Sequence, residues 1–305
     1  MAGSERVSEW TSGSDNPAIP DGSKVWRAEL DFAPRSVWLV GENGSSRRIP
    51  LARHPNWKSQ PEDHKSKWFA WTNEKHPFKA ESGYTANDSN NLKGLDPDFV
   101  NGAILYSEFG WVMGNPYPSK ASNYNPETGS VKFERWTGGG NGEIIHRGMR
   151  YYLEDKPQYL DDPDGEFWFD KKGDGGTLYI RLPGDLDPNT AHIEAGRRKS
   201  IIYGSDVKNV EISGIDFQWT TPYWNLDVVM WDFTTTPWGY RTDATPGCIR
   251  IFGSAQNLRI SNCAFSDTTM GVRIRAKGDG AKVEGITVQD SVFRECDVGA
   301  IYISD

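Results

Sequence analysis

The residues best suited to chemistry are carboxylates set among aromatic rings near the C-terminal end of the chain. Asp232 stands between Trp231 and Phe233, where two flanking rings would strip water from it and raise its affinity for a proton. Asp297 and Asp305 close adjacent segments of a repeated pattern, with Glu295 just before the first of them and Asp267 at the matching place one repeat earlier. Two carboxyl groups across a scissile bond, one giving a proton and one acting as base or nucleophile, are the equipment for glycosidic cleavage. Asp232, Asp297 and Asp305 are therefore the expected catalytic residues. For any one of them the alternative is a hydrogen-bonded turn residue or a charge on a solvated sheet.

Around these acids lie groups that would hold a sugar. Trp224, Trp231, Trp238 and Tyr240 offer ring faces, Asp227 and Asp243 offer acceptors, and all fall in an excursion from Gln218 to Pro246. A 29-residue interruption of a repeat is the kind of insertion that builds a binding surface. Arg273 and Arg275 share one parity if Val272 and Ile274 point inward, and from there they would orient a carboxylate or bind an acidic sugar. The expected substrate-binding set is Trp224, Trp231, Trp238, Tyr240, Asp243, Arg273, Arg275 and Glu295.

The elements that must position these residues are written three times over. Asn209 to Phe217, Asn257 to Phe265 and Gly285 to Phe293 are copies of one phrase, interleaved with Gly247 to Ile251, Gly271 to Arg275 and Gly299 to Ile303. Each run alternates apolar and polar residues, so it presents one apolar face too narrow to be buried alone. Stacking copy on copy would put Val210 over Leu258 over Ile286 and Phe217 over Phe265 over Phe293. An antiparallel sandwich also has short alternating strands, but it does not require the same side chain at the same phase. The pattern predicts an all-β chain whose centre is a right-handed parallel β-helix, a solenoid.

The 305 residues include 13 Trp, 32 Gly and 18 Pro, and no long amphipathic helix pattern appears. Lys24–Leu30 and Ser36–Val40 read as strands, and Glu166–Asp170 and Thr177–Arg181 as a hairpin around turn glycines. Aromatic density from Trp57 to Trp136 suits either sugar stacking or the core of a small β unit. The expected organisation is 1–55 as first coil and edge strands, 56–190 as an inserted aromatic-rich β domain, and 191–305 as coils with the loop at 218–246.

The phrases "AGSERVSEW", "VWLVGENGSSRRIPLARHPNW" and "RYYLEDKPQYLDDPDGEFWFDKKGDGGTLYIRLP" resemble the front half of pectate-lyase-like β-helix carbohydrate-active enzymes. That group includes β-xylosidase-, α-L-fucosidase- and α-galactosidase-like glycoside hydrolases with a small β-rich insertion, and polysaccharide lyases as cousins. The resemblance implies a secreted or periplasmic parent protein and a hydrolase of plant or algal polysaccharides. Its alternatives are a lyase acting on uronate polymers and a non-catalytic sugar-binding solenoid.

Composition narrows the partners. A net charge of −8 repels phosphate backbones, which argues against nucleic acid. No run of 18 apolar residues and no leader pattern appears, so no membrane partner is expected. His54, His64, His76, His146 and His192 lack metal spacing, and no cofactor is expected; calcium enters only under the lyase alternative. Cys248, Cys263 and Cys296 are expected to be small buried packers in the repeats. The opening residues show no cap and the last repeat stops part-way, which predicts a fragment that self-associates through an open coil end.

Overall fold

The computed structural model describes residues 1–57, 67–72, 84–108, 116–133, 145, 147–222 and 246–304. The described residues form an all-β chain of four sheets, none closed into a barrel, with one short α-helix at Pro97–Val100. Among them no helix is long and apolar enough to cross a membrane.

Three of the sheets are antiparallel. Ser4–Val7, His192–Gly196, Val37–Val40 and Ser46–Ile49 pair in that order, and Glu166–Lys172, Gly175–Arg181, Trp26–Leu30 and Thr11–Ser12 form the second sheet. Their alternating inward residues, among them Val37, Ile49, Phe167, Leu178, Ile180 and Ile193, make one shared core. Strands from the first 55 residues thus pair with strands from 166–196, so these two sheets straddle the expected divisions near 55 and 190. The hairpin expected at 166–181 is present. Its glycines do more than turn the chain: a Cβ on Gly176 would lie 2.0 Å from the Asp170 carbonyl oxygen, so only hydrogen fits there.

The third sheet runs Arg53–His54, Arg150–Glu154, Ile104–Glu108, Pro116–Asn125, Ser130–Phe133 and Tyr84–Asn87, with Phe69–Ala70 also on the Arg150 strand. Its core resolves part of the ambiguity over the aromatics. Trp71, Tyr151 and Tyr159 are buried, with Trp71 stacked on Tyr151 at 3.8 Å between centroids. Trp57 is instead exposed. Trp111 and Trp136 lie outside the described residues.

The fourth sheet is parallel and carries the repeats. Ile202–Ser213 pairs with Ile249–Ser261, which pairs with Val283–Gln289; Asp216–Gln218 pairs with Ala264–Arg275, which pairs with Val292–Ser304. The register sets Val210 beside Leu258 beside Ile286. Phe217, Phe265 and Phe293 stack in a column, with centroids 4.9 and 4.6 Å apart and planes 12° and 1° from parallel. Both the like-on-like stacking and the phenylalanine column are as the sequence predicts.

Every repeat also turns at the same three places, through left-handed backbone. Asn209, Asn257 and Gly285 (φ 55°, 52° and 66°) form one set; Gly214, Asn262 and Asp290 form the second; Trp219, Asp267 and Glu295 (59°, 52° and 49°) form the third. Asn, Asp and Gly tolerate this region best, which accounts for most of the nine. Asn257 Nδ2 donates to Asn209 Oδ1 at 3.0 Å, so the side chains as well as the backbones form a ladder. Gly285 ends it because a Cβ there would sit 2.7 Å from Asn257 Oδ1.

Two expectations need correction. The opening residues are not uncapped strand: Ala2 bridges Gln218 in parallel and Gly3 N–H donates to the Gln218 carbonyl at 2.8 Å, so the chain start lies along the Asp216–Gln218 strand. Of the three free cysteines, Cys248 and Cys263 are buried, whereas Cys296 is only half-buried, with its sulfur 3.5 Å from Thr268 Oγ1.

Candidate active site

A cavity of about 610 Å³ lies where the third sheet, the Ser46–Ile49 strand and the corners of the parallel stack meet. Its charged lining is Arg35, Arg48, Arg53, Glu154, Glu295 and Asp297; Trp57, Tyr106 and Tyr152 supply aromatic surface.

The stack contributes Glu295 and Asp297. The left-handed turn at Glu295 lies two residues after Phe293, so the stacked ring column fixes where the corner falls. Arg48 then holds Asp297 with both guanidinium Nη groups, Nη1 on Oδ1 and Nη2 on Oδ2, the latter at 3.0 Å. Arg48 is itself placed by a 2.9 Å donation from Nη2 to Ser36 Oγ and by the Trp38 ring at 5.8 Å. Two residues back on the same strand face, Ser46 Oγ donates to Asp267. Asp267 therefore anchors this strand to the preceding corner and is not part of the cavity lining.

The third sheet contributes Tyr152 and Glu154 by simple alternation. Along Arg150–Glu154, Tyr151 and Leu153 enter the core, which leaves Tyr152 and Glu154 on the other face. Tyr106 is directly across from Tyr152 in the register, and the rings stack at 4.8 Å and 8°. Glu154 is buried. Arg35 Nη2 donates to Glu154 Oε1 at 3.1 Å while its Nη1 reaches Asp155 at 3.0 Å. Burial pushes the Glu154 carboxyl up to about 7, against the pull of Arg35 and Arg53. Burial likewise lifts the Tyr152 hydroxyl well above the ordinary phenol range.

The cavity thus presents on one wall a carboxyl that burial lifts to about 7, and on the other the acidic side chains Glu295 and Asp297. Thr269 also lines it, 1% exposed, with its hydroxyl oxygen buried and making no hydrogen bond. No cluster of three metal-ligating side chains occurs among the described residues.

The predicted site residues divide three ways. Asp297 and Glu295 are brought together in the cavity. Asp232, Asp305, Trp224, Trp231, Trp238, Tyr240, Asp227 and Asp243 lie outside the described residues. Arg273 and Arg275 line no part of the cavity, which corrects the expectation that they share a site with Glu295 and Asp297. Arg273 is fully buried, with its guanidinium 4.3 Å from the Tyr302 ring and 5.7 Å from the Phe252 ring. It follows Arg250 in the register and is followed by Tyr302, so it belongs to a cation–aromatic ladder of the sheet.

Sequence reasoning missed Glu154, Arg35, Arg48, Arg53, Tyr106 and Tyr152. Only Glu154 left a local trace: it shares parity with Tyr152 on a run whose other parity is apolar.

No family model matches the chain, and no curated protein matches it. Among solved structures it is similar to one described as the complex structure of XylC with xylose, at 13% identity and a TM-score of 0.35. That likeness covers 100% of this chain and 42% of the other, so the chain spans less than half the length of the protein it is compared with.

Proposed function

We propose that this chain is a glycoside hydrolase, or part of one, in which Glu154 is the general acid and Asp297, with Glu295 beside it, supplies the opposing carboxylate. The observation that carries this reading is the cavity itself: a carboxyl raised to about 7 and two further acidic side chains line one space, with the exposed Trp57 available to a sugar face. Protonated Glu154 would donate to the glycosidic oxygen as the bond breaks, and the stack-borne carboxylate would act on the anomeric carbon or on its attacking water.

The same proposal includes the architecture. The in-register copies and three recurring left-handed corners support coils of a right-handed parallel β-helix, with the third sheet forming the opposite wall of the cavity. Oligosaccharides of plant or algal origin and a secreted or periplasmic parent go with it.

Release of nitrophenol from a panel of aryl glycosides tests the activity directly. Turnover should fall as pH rises through about 7, as Glu154 loses its proton, and Glu154→Gln should abolish that limb. Unchanged turnover in Glu154→Gln would remove the assignment. A second reading, elimination from a uronate polymer, is favoured by the three guanidinium groups in the same cavity; its unsaturated products absorb in the near ultraviolet and hydrolysis products do not.

A further inference from the structure

Arg35 grips two carboxyl groups that are adjacent in the chain, Glu154 and Asp155, and a plain strand would not allow it. Successive side chains of a strand point to opposite faces, which would put one of the two out of reach of a single guanidinium. Asp155 instead takes left-handed backbone (φ 67°), while its N–H donates to the Ala52 carbonyl at 3.0 Å. The strand ends there, and the turn lets the Asp155 carboxylate meet the same guanidinium as Glu154. Arg35 closes the fork with Nη1 on Asp155 Oδ2 at 3.0 Å and Nη2 on Glu154 Oε1 at 3.1 Å. A non-glycine residue in this region costs free energy that the rest of the fold must supply, and what it secures here is the aim of one guanidinium.

The two oxygens of Glu154 are thereby made different. Oε1 accepts from Arg35, whereas Oε2 takes no hydrogen bond among the described residues, and the side chain keeps 11% of its accessible surface where it lines the cavity. In a protonated carboxyl the carbonyl oxygen is the better acceptor. The Arg35 N–H therefore claims Oε1 as the carbonyl and leaves the proton on Oε2. The other charged and titratable groups about Glu154 are Asp155, Arg53 and the Tyr152 hydroxyl. Arg53 is aimed elsewhere, with Nε donating to the Pro55 carbonyl at 3.0 Å and Nη2 to the Lys67 carbonyl. Arg35 is held at two points because its second arm rests on Asp155.

We infer that Arg35, braced by Asp155, is the positioning residue of the general acid: it fixes the Glu154 carboxyl by Oε1 and turns the proton on Oε2 towards the scissile bond. This rests on the hydrolase reading above and adds to it the residue that orients the acid.

Carbon-13 NMR of the full chain labelled at the glutamate side-chain carboxyls, with Glu154→Gln identifying the signal, follows the acid without any substrate. In the wild type that signal should titrate at about 7. Arg35→Met removes donor and positive charge together, so the titration should move to higher pH, and the loss of turnover with rising pH should move with it. Arg35→Lys keeps the charge but not the fork. Its titration should stay close to that of the wild type, while kcat on an aryl glycoside falls about tenfold or more with KM nearly unchanged. Asp155→Asn should lower kcat in the same way by a smaller factor, and circular dichroism checks that each variant is folded. Wild-type kcat in folded Arg35→Lys, or an unmoved Glu154 titration in folded Arg35→Met, overturns the inference. A titration that moves as stated in a chain that cleaves no glycoside at any pH sinks the hydrolase reading and keeps the hold of Arg35 on Glu154. Cleavage with the same pH dependence in wild type and Arg35→Met does the reverse.

Discussion

The parallel stack and the aromatic sheet beside it solve the same problem, burying narrow apolar faces, in opposite ways. In the stack each side chain's neighbours are copies of itself: Phe265 lies between Phe217 and Phe293, and Leu258 between Val210 and Ile286. In the aromatic sheet the core contacts join mostly unlike partners, such as Trp71 on Tyr151 or His54 against Phe69, Phe99 and Tyr159. Repetition gives the stack a regular wall with corners at a fixed spacing. Heterogeneity gives the sheet one face that is all core and another where Tyr152 and Glu154 are free to serve a cavity. The difference teaches that the repeat supplies positions, and the irregular sheet supplies the environment that perturbs a carboxyl.

Breaking the column should have the largest effect. Phe265→Ala removes a fully buried ring with an aromatic neighbour on each side, and should cost about 3–5 kcal/mol in denaturant unfolding. A loss below about 1 kcal/mol would show that the copies do not support one another. On the sheet side, Glu154→Gln should lower kcat on a cleavable glycoside by about a hundredfold or more, with little change in melting temperature at about pH 4.5, where Glu154 is protonated in the folded chain.

A smaller effect is expected with pH. Glu154 binds its proton more tightly in the folded chain, about 7 against 4.5, so the folded state holds the extra proton between those values. Stability should therefore be complete below about 4.5 as far as this group is concerned, and should decline as pH rises towards 7, by up to about 3 kcal/mol in the limit of full burial. Chemical denaturation of wild type and Glu154→Gln across that window isolates the contribution, because the glutamine variant should lack the slope. Trp57→Ala should raise KM about tenfold with kcat nearly unchanged, the mark of lost ring stacking.

Asn257→Ala should give the mildest change, about 1–2 kcal/mol, from a strained left-handed backbone and the lost Asn209 hydrogen bond. Asn257→Gly should restore most of it if backbone strain is the larger share.

The sequence by itself determined the stack: its strands, its register and the alignment of its copies are consequences of local alternation and of like residues at like phase, both visible in one dimension. It also pointed to Glu295 and Asp297, which come to line the cavity because a corner residue recurs with the corner. Arg273 misled for the same reason, since parity says which face of the sheet a residue takes but not what covers that face. The cavity was decided only by the tertiary structure. Its parts meet across long stretches of chain, Arg48 with Asp297 over 249 residues and Arg35 with Glu154 over 119. The acidity of Glu154 arises from the water that folding removes around it, and no neighbour in the chain encodes that loss.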